Sequence, residues 1–320
     1  MLGVKVLIFG GSGFLGKNLC EKLLLMHYDV TVFGRKDSEQ MILLRDKLPQ
    51  LSFIWGDFSM VKNFSDIVKD FDFVFHLISA TGPSNSNPKI DLTKVIQPTI
   101  LLLEACVKNK IKKFVFYSSG GTVYGIPKII PICENHPTSP ISAYGIHKIV
   151  LEKYIEYYFH MYGLNYSILR IANPYGIGQH AFSSQGLIAN VMAKALLHTP
   201  IEIWGDGSAV RDYLYVDDVS NAALKTLNYS GEFHVFNIGS GIGFSVNEIV
   251  DIIEEIIKQP IQRIYKQARK QDVPTNILDI TKAKRFLNWE PSISIYQGIE
   301  LLYNHWSILN KKNNRICIGD

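Results

Sequence analysis

Short runs of β-branched and aromatic residues alternate, through the first half of the chain, with segments whose apolar residues recur at i, i+3 and i+4. Val4–Phe9, Val30–Phe33, Leu51–Trp55, Phe73–Ile78, Lys113–Tyr117 and Tyr166–Ile171 read as strands. Leu15–Met26, Gln40–Leu48, Ile96–Val107 and Tyr144–Tyr162 read as helices. Strand–helix alternation of this kind builds right-handed βαβ units, so the pattern predicts an α/β fold with a doubly wound parallel sheet. Val6-Leu7-Ile8-Phe9 is apolar at every position, as suits a strand covered on both faces.

From about Tyr175 the rhythm changes. The loops Gly176–Gly186 and Gly205–Tyr213 are long, and only short runs such as Ile201–Trp204 and Ile261–Tyr265 read as strands. A smaller C-terminal α/β cap over the strand ends is expected here, with Val235–Ile238 returning to the main sheet. The expected division is 1–174, also receiving about 214–240, for the sheet domain, and 175–213 with 241–320 for the cap. No internal repeat or low-complexity segment interrupts the pattern.

Composition changes this picture little. The 320 residues are 47% apolar and 19% charged, which suits a chain with a packed core. The net charge of +4 is scattered, so neither nucleic acid nor a membrane is expected as a partner. The basic residues Lys311, Lys312 and Arg315 read as a frayed terminus. The four cysteines, Cys20, Cys106, Cys133 and Cys317, form no C-x-x-C pair and no metal-like spacing with His. The apolar run at the N-terminus is too short for a secretion signal. No stretch approaches the roughly 18 uncharged apolar residues of a membrane span. A reducing cytoplasm is the expected location.

Candidate chemistry begins at the first strand–helix junction. Val6-Leu7-Ile8-Phe9-Gly10-Gly11-Ser12-Gly13-Phe14-Leu15-Gly16 spaces Gly10, Gly13 and Gly16 so that the backbone can turn tightly and approach a pyrophosphate at a helix N-terminus. This is the Rossmann dinucleotide-binding arrangement. The second strand lacks the acidic residue that usually binds the adenosine ribose; Gly34-Arg35-Lys36 follows it instead. Arg35 suits the 2′-phosphate of NADP, or is a solvent-facing residue beside NAD. Asp57, in Gly56-Asp57-Phe58, is placed to accept from the adenine amino group.

Two stretches match Y-x-x-x-K. Tyr124…Lys128 contains Pro127, so a helix is not expected and the two side chains need not share a face. Tyr144…Lys148 opens a long helical pattern with no proline before Pro174, which places Lys148 beside Tyr144. An ammonium group next to a phenol lowers its pKa and makes it a general base.

These motifs, with Arg170-x-x-Asn173-Pro174-Tyr175-Gly176, Gly205-Asp206-Gly207-x-x-x-Arg211-Asp212-Tyr213, Val216-Asp217-Asp218-Val219 and Asn237-Ile238-Gly239-Ser240-Gly241, resemble the extended short-chain dehydrogenase/reductases. Within them the likeness is greatest to the UDP-galactose 4-epimerases and covers nearly the whole chain. The resemblance implies a UDP-sugar substrate, a bound NAD or NADP, and a 4-keto sugar formed by reversible oxidation at C4. It assigns the cofactor to Gly10, Gly13, Phe14, Leu15, Gly16, Arg35, Asp57, Phe58, Leu77, Ser79, Tyr144, Lys148 and Pro174. It assigns the substrate to Ser119, Asn173, Arg211, Arg269 and Asn276, the smaller Asn276 leaving room for a C2 N-acetyl group. Helices Gln97–Lys110 and Ala143–Tyr162 match the pair that forms a homodimer interface in the family.

The loop Ser118–Gly125 departs from the family. Gly120 stands where the reactive hydroxyl is expected, flanked by Ser119 and Thr122, either of which could reach a sugar oxygen. Gly121 and Thr122 stand where related 4,6-dehydratases carry Asp-Glu, so elimination lacks its acid–base pair. The usual active-site Asn is absent from Val95-Ile96-Gln97-Pro98-Thr99, leaving Gln97 as a substitute amide. The expected function is UDP-glucose/UDP-galactose epimerisation, or that of their N-acetylhexosamine counterparts. The alternatives are an NADPH-dependent sugar-nucleotide reductase and a non-catalytic NAD(P)-binding relative.

Overall fold

The computed structural model describes residues 3–82, 87–181, 185–268 and 273–313. Six parallel strands, β1 (Lys5–Phe9), β2 (Asp29–Gly34), β3 (Ser52–Trp55), β4 (Phe73–His76), β5 (Lys113–Ser119) and β6 (Tyr166–Ile171), form most of the main sheet. In chain order come β7 (Asn173–Tyr175), β8 (Ile201–Trp204), β9 (Val210–Tyr215) and β10 (Val235–Ile238), followed by β11 (Gly243–Ser245), β12 (Arg263–Lys266) and β13 (Thr275–Asn276). Strand β10 adds in parallel to β6, giving a seven-stranded order β10-β6-β5-β4-β1-β2-β3. The helices are α1 (Phe14–Leu25), α2 (Glu39–Lys47), α3 (Ser65–Val68), α4 (Pro88–Asp91), α5 (Gln97–Lys108) and α6 (Ala143–Tyr162). They continue with α7 (Leu187–Leu196), α8 (Val216–Leu227), α9 (Val246–Ile257), α10 (Thr281–Leu287) and α11 (Ile295–Asn313).

Period-two alternation along buried strands splits the main core in two. Val6 and Ile8 of β1 pack on one face with Leu19, Leu23, Val219 and Ala222 of α1 and α8. Leu7 and Phe9 pack on the other with Leu102, Leu151 and Ile155 of α5 and α6. Each fully buried Val, Leu, Ile or Phe side chain among them contributes about 1.5–3 kcal/mol. In α1 the buried Gly16, Leu19, Cys20 and Leu23 follow the 3.6-residue period read from the sequence.

The cap has its own core of Ile188, Met192, Ile249, Ile253, Leu302 and Trp306. Strands β7, β11 and β13 pair with β9, and β12 pairs with β8. Helix α9 opens with a capping box, Ser245 and Glu248 satisfying each other's backbone N–H groups. The first cap strand thus follows β6 directly, because β7 begins two residues after β6 ends. In the main sheet, chain order reverses between β1 and β4, and a crevice opens there at the carboxyl ends of the strands. No described helix is long and apolar enough to cross a membrane.

Candidate active site

The crevice is a cleft of about 700 Å³ lined by both the sheet domain and the cap. Its floor is the glycine turn. Gly10 has a φ of +92°, and a Cβ on Gly16 would lie 2.2 Å from the Gly10 carbonyl oxygen, so neither position accepts a side chain. Gly13 caps α1 without a side-chain hydrogen bond, and no acid occupies the first turn. The free N–H groups and positive end of α1 are therefore left for an anion, and Gly10, Gly13, Phe14, Leu15 and Gly16 all line the cleft. The donors present fit the diphosphate of a dinucleotide.

Leu77 and Ser79, just past β4, line the same cleft. Arg35 and Asp57 are exposed at the ends of β2 and β3, outside it. Asp57 accepts from the Ser59 hydroxyl at 2.7 Å and its amide at 2.9 Å, which holds its carboxyl below the usual range, with help from the nearby Arg35 and Lys94 charges. Phe58 is buried in the core against Phe9 and Phe64.

Tyr144 and Lys148 occupy the first turns of α6. Ser142 caps the helix through the Gly145 amide, and Gly145 lets it approach the neighbouring loop: a Cβ there would lie 2.8 Å from the Thr122 carbonyl oxygen. Lys148 Nζ lies 5.6 Å from the centre of the Tyr144 ring and donates to the Tyr117 carbonyl at 2.8 Å. Burial pushes the Lys148 ammonium down to about 8, against the opposing charges of Glu152 and Asp91. Burial raises the Tyr144 phenol to about 12, Ser79 partly offsetting this by hydrogen bonding and the Asp91 charge adding to it. A bound cation near the ring would bring the phenol down toward neutrality.

Beside this pair stands the loop after β5. Thr122 Oγ1 donates to Ser119 Oγ at 2.8 Å, and both residues line the cleft. Gly120 is packed from behind: a Cβ would meet Leu278 at 2.5 Å and the Arg170 carbonyl oxygen at 2.9 Å. The missing hydroxyl therefore has no room at position 120. Gly121, by contrast, meets only Asn173 Oδ1 at 3.7 Å.

Asn173, Pro174 and Arg211 line the cleft on the cap side. Asn173 donates to the Asp212 carbonyl at 2.9 Å, and Arg211 to the Val210 carbonyl at 2.9 Å. Arg269 lies outside the described residues. Two expectations are corrected. Asn276 is buried and does not line the cleft; its Nδ2 donates to the Gly120 carbonyl at 3.1 Å, so it braces the loop instead of shaping a sugar pocket. Gln97 is exposed, outside the cleft, and supplies no amide to it. Beside Tyr144 and Lys148 lies a pair that spacing did not announce, Asp91 and His147, 56 positions apart and 2.8 Å from each other.

Comparison with known proteins shows what the chain as a whole is similar to. The sequence model of the NAD dependent epimerase/dehydratase family matches residues 6–239. The UDP-glucose 4-epimerase of Mycolicibacterium smegmatis is 30% identical, over 92% of this chain and 96% of its own. The solved UDP-glucose 4-epimerase of Thermotoga maritima with UDP-glucose is similar at a TM-score of 0.89 and 35% identity, covering 96% of this chain and 99% of that one. The UDP-N-acetylglucosamine 4-epimerase of Methanobrevibacter ruminantium, in complex with UDP-N-acetylmuramic acid, matches at 0.89 and 27%, over 97% and 100%.

Proposed function

The chain belongs to the NAD dependent epimerase/dehydratase family, and we propose that it is a UDP-sugar 4-epimerase in which Tyr144 moves the proton of the sugar C4 hydroxyl. The observation that carries this is the placement of Tyr144–Lys148 and Ser119 in one cleft with an uncapped, glycine-lined helix N-terminus. NAD, when bound, supplies the acceptor and then the donor of the C4 hydride. Tyr144 Oη takes the C4 hydroxyl proton and later returns one to the same oxygen. Lys148 stabilises the phenolate by its charge.

Ser119 orients the C4 oxygen. Because Thr122 donates to Ser119 Oγ, the Ser119 proton remains free to point at the sugar, and Thr122 acts by positioning it. Asn173 and Arg211 hold the diphosphate, so the oxidised sugar can turn its other face without leaving. NAD is the better fit than NADP, since the ionised Asp57 beside Arg35 would repel a 2′-phosphate.

The test is to incubate purified protein separately with UDP-galactose and UDP-N-acetylgalactosamine, adding no cofactor, and to identify the products. Formation of the C4 epimer of either sugar is expected. Turnover that requires stoichiometric NADPH would replace this reading with a reductase. Two further properties belong to the same reading. The exposed Tyr154, Tyr157, Met161 and Tyr162 of α6 form the homodimer face, which sedimentation would check as twice the chain mass. The buried free thiols Cys20 and Cys106 suit the cytoplasm.

A further inference from the structure

Asp91 ends α4, and a π turn (Leu92–Ile96) joins it to α5 before Pro98. Its side chain is only 4% exposed. The carboxylate accepts from the Thr81 hydroxyl and, at 2.8 Å, from His147 Nδ1. His147 stands between Tyr144 and Lys148 on α6. Asp91, His147, Tyr144, Lys148 and Ser79 line a small second cavity of about 10 Å³, which shares Ser79, Tyr144 and Lys148 with the main cleft.

A buried carboxylate is costly unless it is paired and hydrogen-bonded, so its charge acts strongly on the groups around it. The other carboxylate acting on Lys148, Glu152, is already engaged: Arg170 meets it at 2.7 and 3.2 Å. Asp91 meets no Lys or Arg among the described residues, only His147. We propose that Asp91, clamped by Thr81 and His147, is a positioning residue that keeps Lys148 in its ammonium form beside Tyr144 during turnover.

The groups facing Lys148 from each neighbouring element are consistent with this. On α6 they are Tyr144, His147 and Glu152, with Asp91 from α4. From β5 come the Tyr117 carbonyl and the Phe116 ring, 4.8 Å from Nζ. From β4 comes His76, whose burial drives its pKa to about 3, so it stays neutral, fixed by Thr99 at 2.7 Å and the Ile78 amide at 3.2 Å. Burial alone would strip the proton from Lys148; the charges of Glu152 and Asp91 oppose this. Removing the Asp91 charge therefore lowers the Lys148 midpoint.

The inference rests on the roles given above to Tyr144 and Lys148, and its test reads a property separate from turnover. Holoenzyme labelled with carbon-13 at the lysine ε-carbon is titrated by NMR, the Lys148 signal being assigned by its loss in Lys148→Arg. In the wild type the midpoint is expected below the ordinary lysine value, because Lys148 is buried. In Asp91→Asn it should fall by about half a unit or more, and the alkaline limb of kcat should move equally, with KM within about twofold. Asp91→Glu, which keeps the charge, should hold the midpoint, and provides the comparison if Asp91→Asn fails to fold. An unmoved Lys148 midpoint in Asp91→Asn, a loss of kcat equal at every pH, or a midpoint that falls in Asp91→Glu would each overturn the proposal. A protein that shifts its midpoint but epimerises no UDP-sugar would refute the proposed activity and leave this inference standing.

Discussion

Tyr124 and Tyr144 each precede a lysine by four positions, and burial raises the pKa of both phenols. Tyr124 is closed in: its hydroxyl donates to Asn237 at 2.6 Å and accepts from Arg170 at 3.0 Å. Lys128 is exposed, and its backbone amide bonds to His136 at 3.1 Å. Tyr144 lines the cleft, and a helix turn sets Lys148 beside it. The same spacing yields a candidate base in one place and a structural pin in the other. What separates them is a continuous helix, which fixes the pair on one face, and a position that lines an open cleft instead of a closed polar network. Tyr124 and Arg170 belong instead to a buried polar network with Glu152, Ser118 and Asn237 that ties α6 to β5, β6 and β10.

The largest expected effect is on Tyr144. Tyr144→Phe should lower kcat by about 10²–10⁴-fold, measured as epimer formed from the active UDP-sugar. Tyr124→Phe should leave kcat within a few-fold and lower stability by about 1–3 kcal/mol in chemical denaturation, because Asn237 and Arg170 lose a buried partner. The opposite pattern would invert the roles of the two tyrosines. Next comes the network itself. Glu152→Gln leaves Arg170 charged and buried, so unfolding should become easier by about 3–5 kcal/mol, read from the denaturant midpoint.

Within the loop the contrast sharpens further. Ser119→Ala should reduce kcat by about 10–100-fold and Thr122→Val by less, since Thr122 works through Ser119. Equal losses would show that both hydroxyls touch the sugar. The smallest effect belongs to the glycines. Gly120→Ala should destabilise by about 1–3 kcal/mol because its Cβ strikes Leu278 and the Arg170 backbone, whereas Gly121→Ala should fold as the wild type does by thermal unfolding. If Gly120→Ser folded well and raised kcat, the packing behind the loop would not be the reason for the glycine.

The main sheet was legible from pattern alone. The six strands of the first half and helices α1, α2, α5 and α6 lie within two residues of the periodic runs, because each is long, buried and locally consistent. The cap was less so. Strand β13 is only two residues long, Thr275–Asn276, and exists because Val210 and Arg211 pair with it from far along the chain. Such strands carry no period of their own. Asn276 shows the same limit at the site: the family resemblance suggested a pocket residue, while its amide is drawn to the Gly120 carbonyl, 156 positions away.

The sequence by itself determined the doubly wound sheet, the glycine turn at the head of α1, the pairing of Tyr144 with Lys148, and the absence of a dehydratase's acids. Each of these is set by residues within a few positions of one another, where helix period, proline and glycine leave little choice. Only the tertiary structure decided that Gly120 is sealed by Leu278, that Thr122 orders Ser119, that Asn276 braces a loop, and that Asp91 meets His147 beside the reacting pair. Except for the short loop contact of Thr122 with Ser119, those outcomes depend on packing between elements distant in the chain, and no local spacing encodes which side chain will fill a given space.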